Sequence, residues 1–168
     1  MMRTRFAVLA ACAALFAAAP VLHAQDEIGV AVGATAPGAA VHTLDGKVAN
    51  LDQYIGKGPV LLEFWATWCS NCKELEPKLL SMVKKYSPRV KFVDVAVSVN
   101  ESPERVKLYA QKYHYTHEVV YDTDGNAVTA YSVPATSYVV LVDKAGKVVY
   151  TGLGGDQDLE SAIKRVLE

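Results

Sequence analysis

Two cysteines three residues apart, Cys69 and Cys72, stand where the chain changes character. The run from Pro59 to Ala66 ahead of them is apolar and β-prone except for Glu63, the pattern of a strand covered on both faces. After them Leu75, Leu79, Met82, Val83 and Tyr86 recur at helical spacing, with Lys78, Lys84 and Lys85 between, which predicts an amphipathic helix. Cys69 falls at its start. There, unpaired backbone N–H groups and the positive end of the helix dipole favour a thiolate over a thiol. Cys69 is therefore the expected nucleophile, and Cys72, one turn further in, the expected resolving thiol. A purely structural disulfide is the weaker reading, because so short a loop constrains the unfolded chain little.

The same thiols suit a soft metal such as copper(I) or zinc, so metal delivery is the competing class. His114 and His117 would have to complete such a set, but their spacing from each other and from Cys72 is wrong for common zinc patterns. Both histidines are expected instead as polar surface residues. The acidic Asp122-Thr123-Asp124-Gly125 lacks further ligands at loop spacing and reads as a solvated turn, not a calcium loop. Glu63 has two readings. Its carboxyl group faces the core or a polar crevice, where burial raises its pKa and fits it to exchange a proton with Cys72, or it lies at a strand edge in water.

At 168 residues, 51% hydrophobic and 21% charged, the chain fits one ordinary domain behind a leader. A formal charge of −1 excludes the basic footprint of nucleic-acid binding. Arg3 and Arg5, an apolar stretch from Phe6 to Ala19 and Leu22-His23-Ala24 before Gln25-Asp26-Glu27 read as an export signal over residues 1–24, cleaved after Ala24. The alternatives are a lipoprotein anchored at Cys12, after Leu9-Ala10-Ala11, or an uncleaved anchor. Without Cys12, Cys69 and Cys72 are the only cysteines left, and in an oxidising compartment they pair with each other or exchange with a partner.

Gln25 to Ala36 is Gly/Ala-rich without periodicity and reads as a flexible lead-in, with order from Pro37 to the end of the chain. Asp45-Gly46 between Val41–Leu44 and Lys47–Asn50 predicts a hairpin. Val90 to Val99 is a second strand, so strand, helix and strand form a right-handed parallel βαβ unit. Ser102-Pro103 opens a helix ending near His114, with Val106, Tyr109, Ala110 and Tyr113 on its buried stripe. Glu118–Tyr121 is a short strand, and Asn126 to Tyr131 a helical turn. Ser137–Val142 and Lys147–Thr151 flank Asp143–Gly146 as an antiparallel hairpin. Asp156 is the expected cap of a last helix carrying Leu159, Ile163, Val166 and Leu167.

Phe64-Trp65-Ala66-Thr67-Trp68-Cys69-x-x-Cys72-Lys73, with Pro77 five residues on, resembles the active-site stretch of thioredoxin-fold proteins, above all the TlpA/ResA-like exported thiol-disulfide oxidoreductases. The resemblance runs through most of Val41 to Leu167. It implies an α/β thioredoxin-like fold: a mixed central sheet flanked by helices, with an N-terminal β-hairpin and an inserted helix. It implies dithiol-disulfide exchange without an organic cofactor, the redox-active group being the Cys69–Cys72 disulfide. Glu63 then takes the place of a buried acid beneath the cysteines, and Pro134 that of a cis-proline beside them. Val133 would offer backbone groups to an extended substrate, and Trp68 would shape the docking surface. Ser70, Asn71 and Lys73 would tune the potential. With no cation between the cysteines, the pair reads as a reductant or exchange catalyst more than a strong oxidant. The implied partners are exported proteins bearing disulfides, such as apocytochrome c or a copper-site protein, and a membrane or periplasmic electron donor, served by a monomer. Two departures stand out: Ala36-Pro37 is not followed by an aromatic, and the stretch from Pro134 to the Asp143–Gly146 turn is longer than the family pattern. Thr67 and Trp68 do not reproduce a peroxidatic cysteine loop.

Overall fold

A computed structural model describes residues 29–168; the expected leader, its cleavage point and Cys12 lie outside them. Seven strands form one mixed sheet: β1 (Ala40–Thr43), β2 (Val48–Asn50), β3 (Val60–Trp65), β4 (Lys91–Val97), β5 (Glu118–Asp122), β6 (Tyr138–Val142) and β7 (Val148–Leu153). Their order across the sheet is β2-β1-β5-β4-β3-β6-β7. β3, β4 and β5 run parallel, and the other pairings are antiparallel.

The helices are α1 (Ser70–Tyr86), α2 (Pro103–Lys112), α3 (Asn126–Ala130) and α4 (Leu159–Leu167). Both parallel crossovers step in the same direction across the sheet, and right-handed crossovers of that kind put α1 and α2 on one face. α4 joins them there: Leu159 and Ile163 cluster with Leu75 and Leu79 of α1 and with Leu61, Phe92 and Leu141 from the sheet. The alternate residues Leu62, Phe64, Val93 and Val95 belong to the second apolar cluster, which includes Ala127 of α3. Every residue of β3 is buried, which explains its near-continuous apolar run. Glu63 pairs with Asp94 in the β3–β4 register.

Local signals place most boundaries. Ser102 accepts the Arg105 N–H and Pro103 occupies the first helical position of α2. Gly46 adopts φ +83° in the first hairpin turn, a conformation that glycine takes without steric penalty. Pro77 lies inside α1, where it supplies no N–H to the helical ladder.

Four local expectations are corrected. Residues 29–36 do not form the flexible lead-in expected of their composition: Gly33 and Ala36 donate to Val148 and Gly146 carbonyls, Thr35 bridges to Lys147, and Val30 donates to the Tyr138 hydroxyl at 3.0 Å. A Gly/Ala-rich segment lies close against the β6–β7 hairpin because it has little side-chain bulk to hold it away. Asp158, not Asp156, caps α4 by accepting the Ser161 N–H, while Asp156 pairs with Lys78. Tyr113 is 39% exposed, since it follows the last turn of α2 and leaves the buried stripe. Asp122 is fully buried instead of solvated, its carboxylate accepting the Ala127 and Val128 N–H groups at the start of α3.

Candidate active site

Cys69 is the N-cap residue of α1, with extended backbone angles. Its sulfur accepts the Cys72 N–H at 3.1 Å and is joined to the Cys72 sulfur in a disulfide. An N-cap side chain normally offers oxygen to such an orphan donor; here sulfur takes that place. On reduction the same N–H and the helix dipole bear on the Cys69 thiolate. Cys69 and Cys72 are 4% and 5% exposed, so a partner reaches them only at the rim. Ser70, Asn71 and Lys73 are exposed around that rim.

The loop ahead of Cys69 is latched to the loop between β4 and α2. Thr67 donates its N–H and its hydroxyl to one oxygen of Glu101, at 2.7 and 2.6 Å. The other oxygen of Glu101 accepts the Ser102 N–H and lies 3.5 Å from Arg105. Trp68 donates its indole N–H to the Val99 carbonyl at 2.9 Å and remains 45% exposed. Its ring is thus fixed at one edge while a face stays open, as a docking surface requires. Trp65, by contrast, is buried against Tyr109 and Tyr115. Glu101 went unnoticed in the sequence, where it reads as one more helix-start acid.

At the entrance to β6 the structure corrects the expected residues. All described peptide bonds are trans, Val133–Pro134 included, and Pro134 is exposed in the loop ahead of the strand. Val133 commits its N–H to Val128, so that group is not offered to a substrate. Ser137 enters the sheet at the end of β3 that leads to Cys69. It is fully buried, donates its N–H to Phe64 at 2.8 Å and its hydroxyl to Gly154, and accepts from Gly154 and Gln157. Its φ of +65° is uncommon for a residue with a side chain. Continuing the pairing Phe64↔Tyr138 makes Ser137 the residue opposite Trp65. The extra length beyond Pro134 noted in the sequence is the loop that carries the chain to this point.

Beneath α1 lies a buried polar cluster. Glu63 is on the same side of β3 as Leu61, which packs on α1. It is 3% exposed, which selects the buried reading. Burial, then the Asp94 carboxylate beside it, then Glu76 push its pKa well above the usual carboxylate range. Its Oε1 has no hydrogen-bond partner among the described residues. Glu76 lies one helical turn after Cys72, and its two oxygens accept the Tyr109 and Tyr115 hydroxyls at 3.1 and 2.7 Å. Asp94 is 2.8 Å from Nε2 of His117, whose side chain is 2% exposed. His117 is therefore not a surface residue; it precedes β5 on the side chosen by strand alternation, which turns it inward. Glu76, Asp94 and His117 were hidden in the sequence because no local pattern brings them to Glu63.

His117 faces Asp94, and among the described residues no group of three or more His, Cys, Asp or Glu side chains could hold a metal ion. The two cysteines and two histidines are not assembled into a ligand set.

The Redoxin family profile matches residues 31–167. The chain is 32% identical over 143 residues to the thiol-disulfide oxidoreductase ResA of Geobacillus thermodenitrificans, covering 84% of this chain and 81% of that protein. It is 34% identical over 120 residues to ResA of Bacillus subtilis, covering 71% and 66%. Among solved structures, a protein from Chlorobium tepidum described as a putative thiol:disulfide interchange protein DsbE aligns with a TM-score of 0.73 at 26% identity, covering 83% of this chain and 99% of that one.

Proposed function

Because this chain belongs to the Redoxin family, we propose that it is a thiol-disulfide oxidoreductase that reduces disulfides of exported proteins through Cys69 and Cys72. The observation that carries the reading is the placement of Cys69 as the cap of α1, its sulfur on the Cys72 N–H and bonded to the Cys72 sulfur.

In the dithiol form the Cys69 thiolate attacks a substrate disulfide. One substrate sulfur leaves, and a mixed disulfide forms at Cys69. Cys72 loses its proton to Glu63, and its thiolate attacks the Cys69 sulfur, releasing the second substrate sulfur. Two electrons pass to the substrate, and the Cys69–Cys72 disulfide remains. Glu63, now protonated in its dry site, is set for the return step. When an external dithiol donor attacks Cys69, Cys72 departs as a thiolate and takes the proton back, so protons balance over the cycle. Trp68 and the exposed Ser70 and Asn71 form the surface met by both partners. Export by the leader, action as a monomer, clients of the apocytochrome c or copper-site kind and a membrane-borne or periplasmic electron donor complete the reading.

Cys69→Ser is expected to abolish turnover of a disulfide substrate, and Cys72→Ser to accumulate mixed disulfides visible by mass spectrometry. Wild-type turnover in both variants overturns the assignment. The reduction potential of the couple in dithiothreitol buffers fixes the direction. A value near the −270 mV typical of thioredoxin supports the reductant, and one near −120 mV makes the protein a disulfide donor.

A further inference from the structure

Thr67 and Trp68 are the two central residues of a β-turn that Cys69 closes by donating its N–H to the Ala66 carbonyl at 3.1 Å. A surface turn is among the first parts of a fold to open locally, so its outer residues keep one shape only where other elements grip them. Here the grip comes from the loop between β4 and α2. Glu101 takes the first central residue by its N–H and its hydroxyl, and the Val99 carbonyl takes the second by its indole. The gripping loop is braced in its turn. Tyr121 of β5 donates its hydroxyl to the Glu101 carbonyl at 2.9 Å, Arg105 of α2 donates to the Asn100 carbonyl at 2.7 Å, and Glu101 donates its own N–H to the Ser98 carbonyl at 3.3 Å.

The Glu101 side chain is 0% exposed, which is rare for an acid in a loop. Starting α2 engages only one of its oxygens, the one that accepts the Ser102 N–H and faces Arg105. The other accepts two bonds, both from Thr67. A helix-start role accounts for the first oxygen and leaves the second unexplained. Resting on the dithiol-disulfide reading above, we propose that Glu101 is a positioning residue that holds Trp68 as a preformed docking face beside Cys69. It acts through the turn and touches no sulfur. A partner then meets an indole that is already ordered, and the cost of immobilising it is not added to docking. A protein disulfide, which can cover the exposed ring, gains from this. A small disulfide, with little surface to lay on the ring, gains less.

The test compares two substrates on the same protein, insulin as a protein disulfide and glutathione disulfide as a small one, by dividing kcat/KM for the first by kcat/KM for the second. Folded fraction and thiol chemistry enter both and cancel. Glu101→Ala should lower this ratio about tenfold, as the loss of one modest apolar contact does, and Trp68→Ala should lower it as far. The double variant should show no further fall, because both residues act through one ring. A wild-type ratio in Glu101→Ala, or a double variant in which the two losses multiply, overturns the proposal and leaves Glu101 a helix-start acid. A second readout is the ¹⁵N heteronuclear NOE of the indole N–H groups, which reports fast motion of each ring. The Trp68 value should drop in Glu101→Ala while that of buried Trp65 holds, and an equally rigid Trp68 ring in the variant overturns the proposal. If Glu101→Ala does not fold, Thr67→Val takes its place, since it leaves Ser102 and Arg105 their acceptor and deletes one bond to the turn. There a wild-type ratio with a rigid Trp68 ring is the overturning result. The NOE needs no turnover. A wild type inactive on both substrates would thus count against the oxidoreductase reading, and the indole spectra would judge Glu101.

Discussion

The layer between the sheet and α1 has two halves that differ in kind. Under α1 and α4, Leu61, Leu75, Leu79, Phe92, Leu141 and Ile163 form a dry apolar cluster. Under α1 and α2, the same strands and the same helix contribute Glu63, Glu76 and Asp94, with His117, Tyr109 and Tyr115 closing over them. The change occurs within two residues of β3, from Leu61 to Glu63, and within two of β4, from Phe92 to Asp94. Apolar burial stabilises the fold at roughly 25 cal/mol per Å². Buried carboxyl groups oppose it, because each leaves water for incomplete compensation. The apolar half holds the sheet and helix together, and that stability offsets the cost of keeping the raised-pKa Glu63 carboxyl group dry beneath α1.

The largest effect should come from the apolar half. Leu79 is 1% exposed, and Leu79→Ala should lower unfolding free energy in denaturant titrations by about 2–5 kcal/mol, with per-molecule turnover unchanged below the melting range. Loss of turnover in folded protein would show that the halves are not separable.

Glu63→Leu tests the opposite half. The Glu63 pKa is raised on folding from an ordinary value of 4.5, so the folded state holds the proton more tightly. The Glu63 contribution to stability is therefore full below pH 4.5 and is lost as pH rises through the folded midpoint. The leucine variant has no such fall. Its advantage should widen with pH to about 1–3 kcal/mol, while resolution of the mixed disulfide slows about 10²-fold, the lower end of general acid–base contributions. Parallel stability curves for variant and wild type would remove Glu63 from the buried cluster. Smaller still, Trp68→Ala should raise KM for a protein disulfide about tenfold through lost contact area, the low end of what one hydrophobic contact contributes, and leave kcat for a small disulfide unchanged. A change confined to kcat would move Trp68 from docking to chemistry.

The sequence was most legible where local chemistry sets the structure. Ser102-Pro103 starts α2 as read, Asp45-Gly46 turns the first hairpin, and Cys69 caps α1. It was least legible where the sheet register decides. Pro134 carries the stronger local signal, a proline before a strand, yet the pairing of Phe64 with Tyr138 makes Ser137 the residue at the β6 entrance. Counting back from the Asp143–Gly146 turn would have found it. His117 shows the same failure: a polar residue beside a helix end suggests surface, and only the alternation along β5 and the acid on β4 turn it inward. Glu63 was legible as a choice between core and water, and the structure puts it in the core without adding a local clue.

The latch between the cysteine loop and the β4–α2 loop defines what is portable in this protein. Thr67 and Trp68 carry donors whose acceptors, Glu101 and Val99, lie more than thirty positions downstream. A graft that moved only residues 64–73 into another scaffold would leave those donors without acceptors and the indole free to swing. The redox motif and residues 97–105 form one exchangeable part, and a functional chimaera would have its junctions outside both.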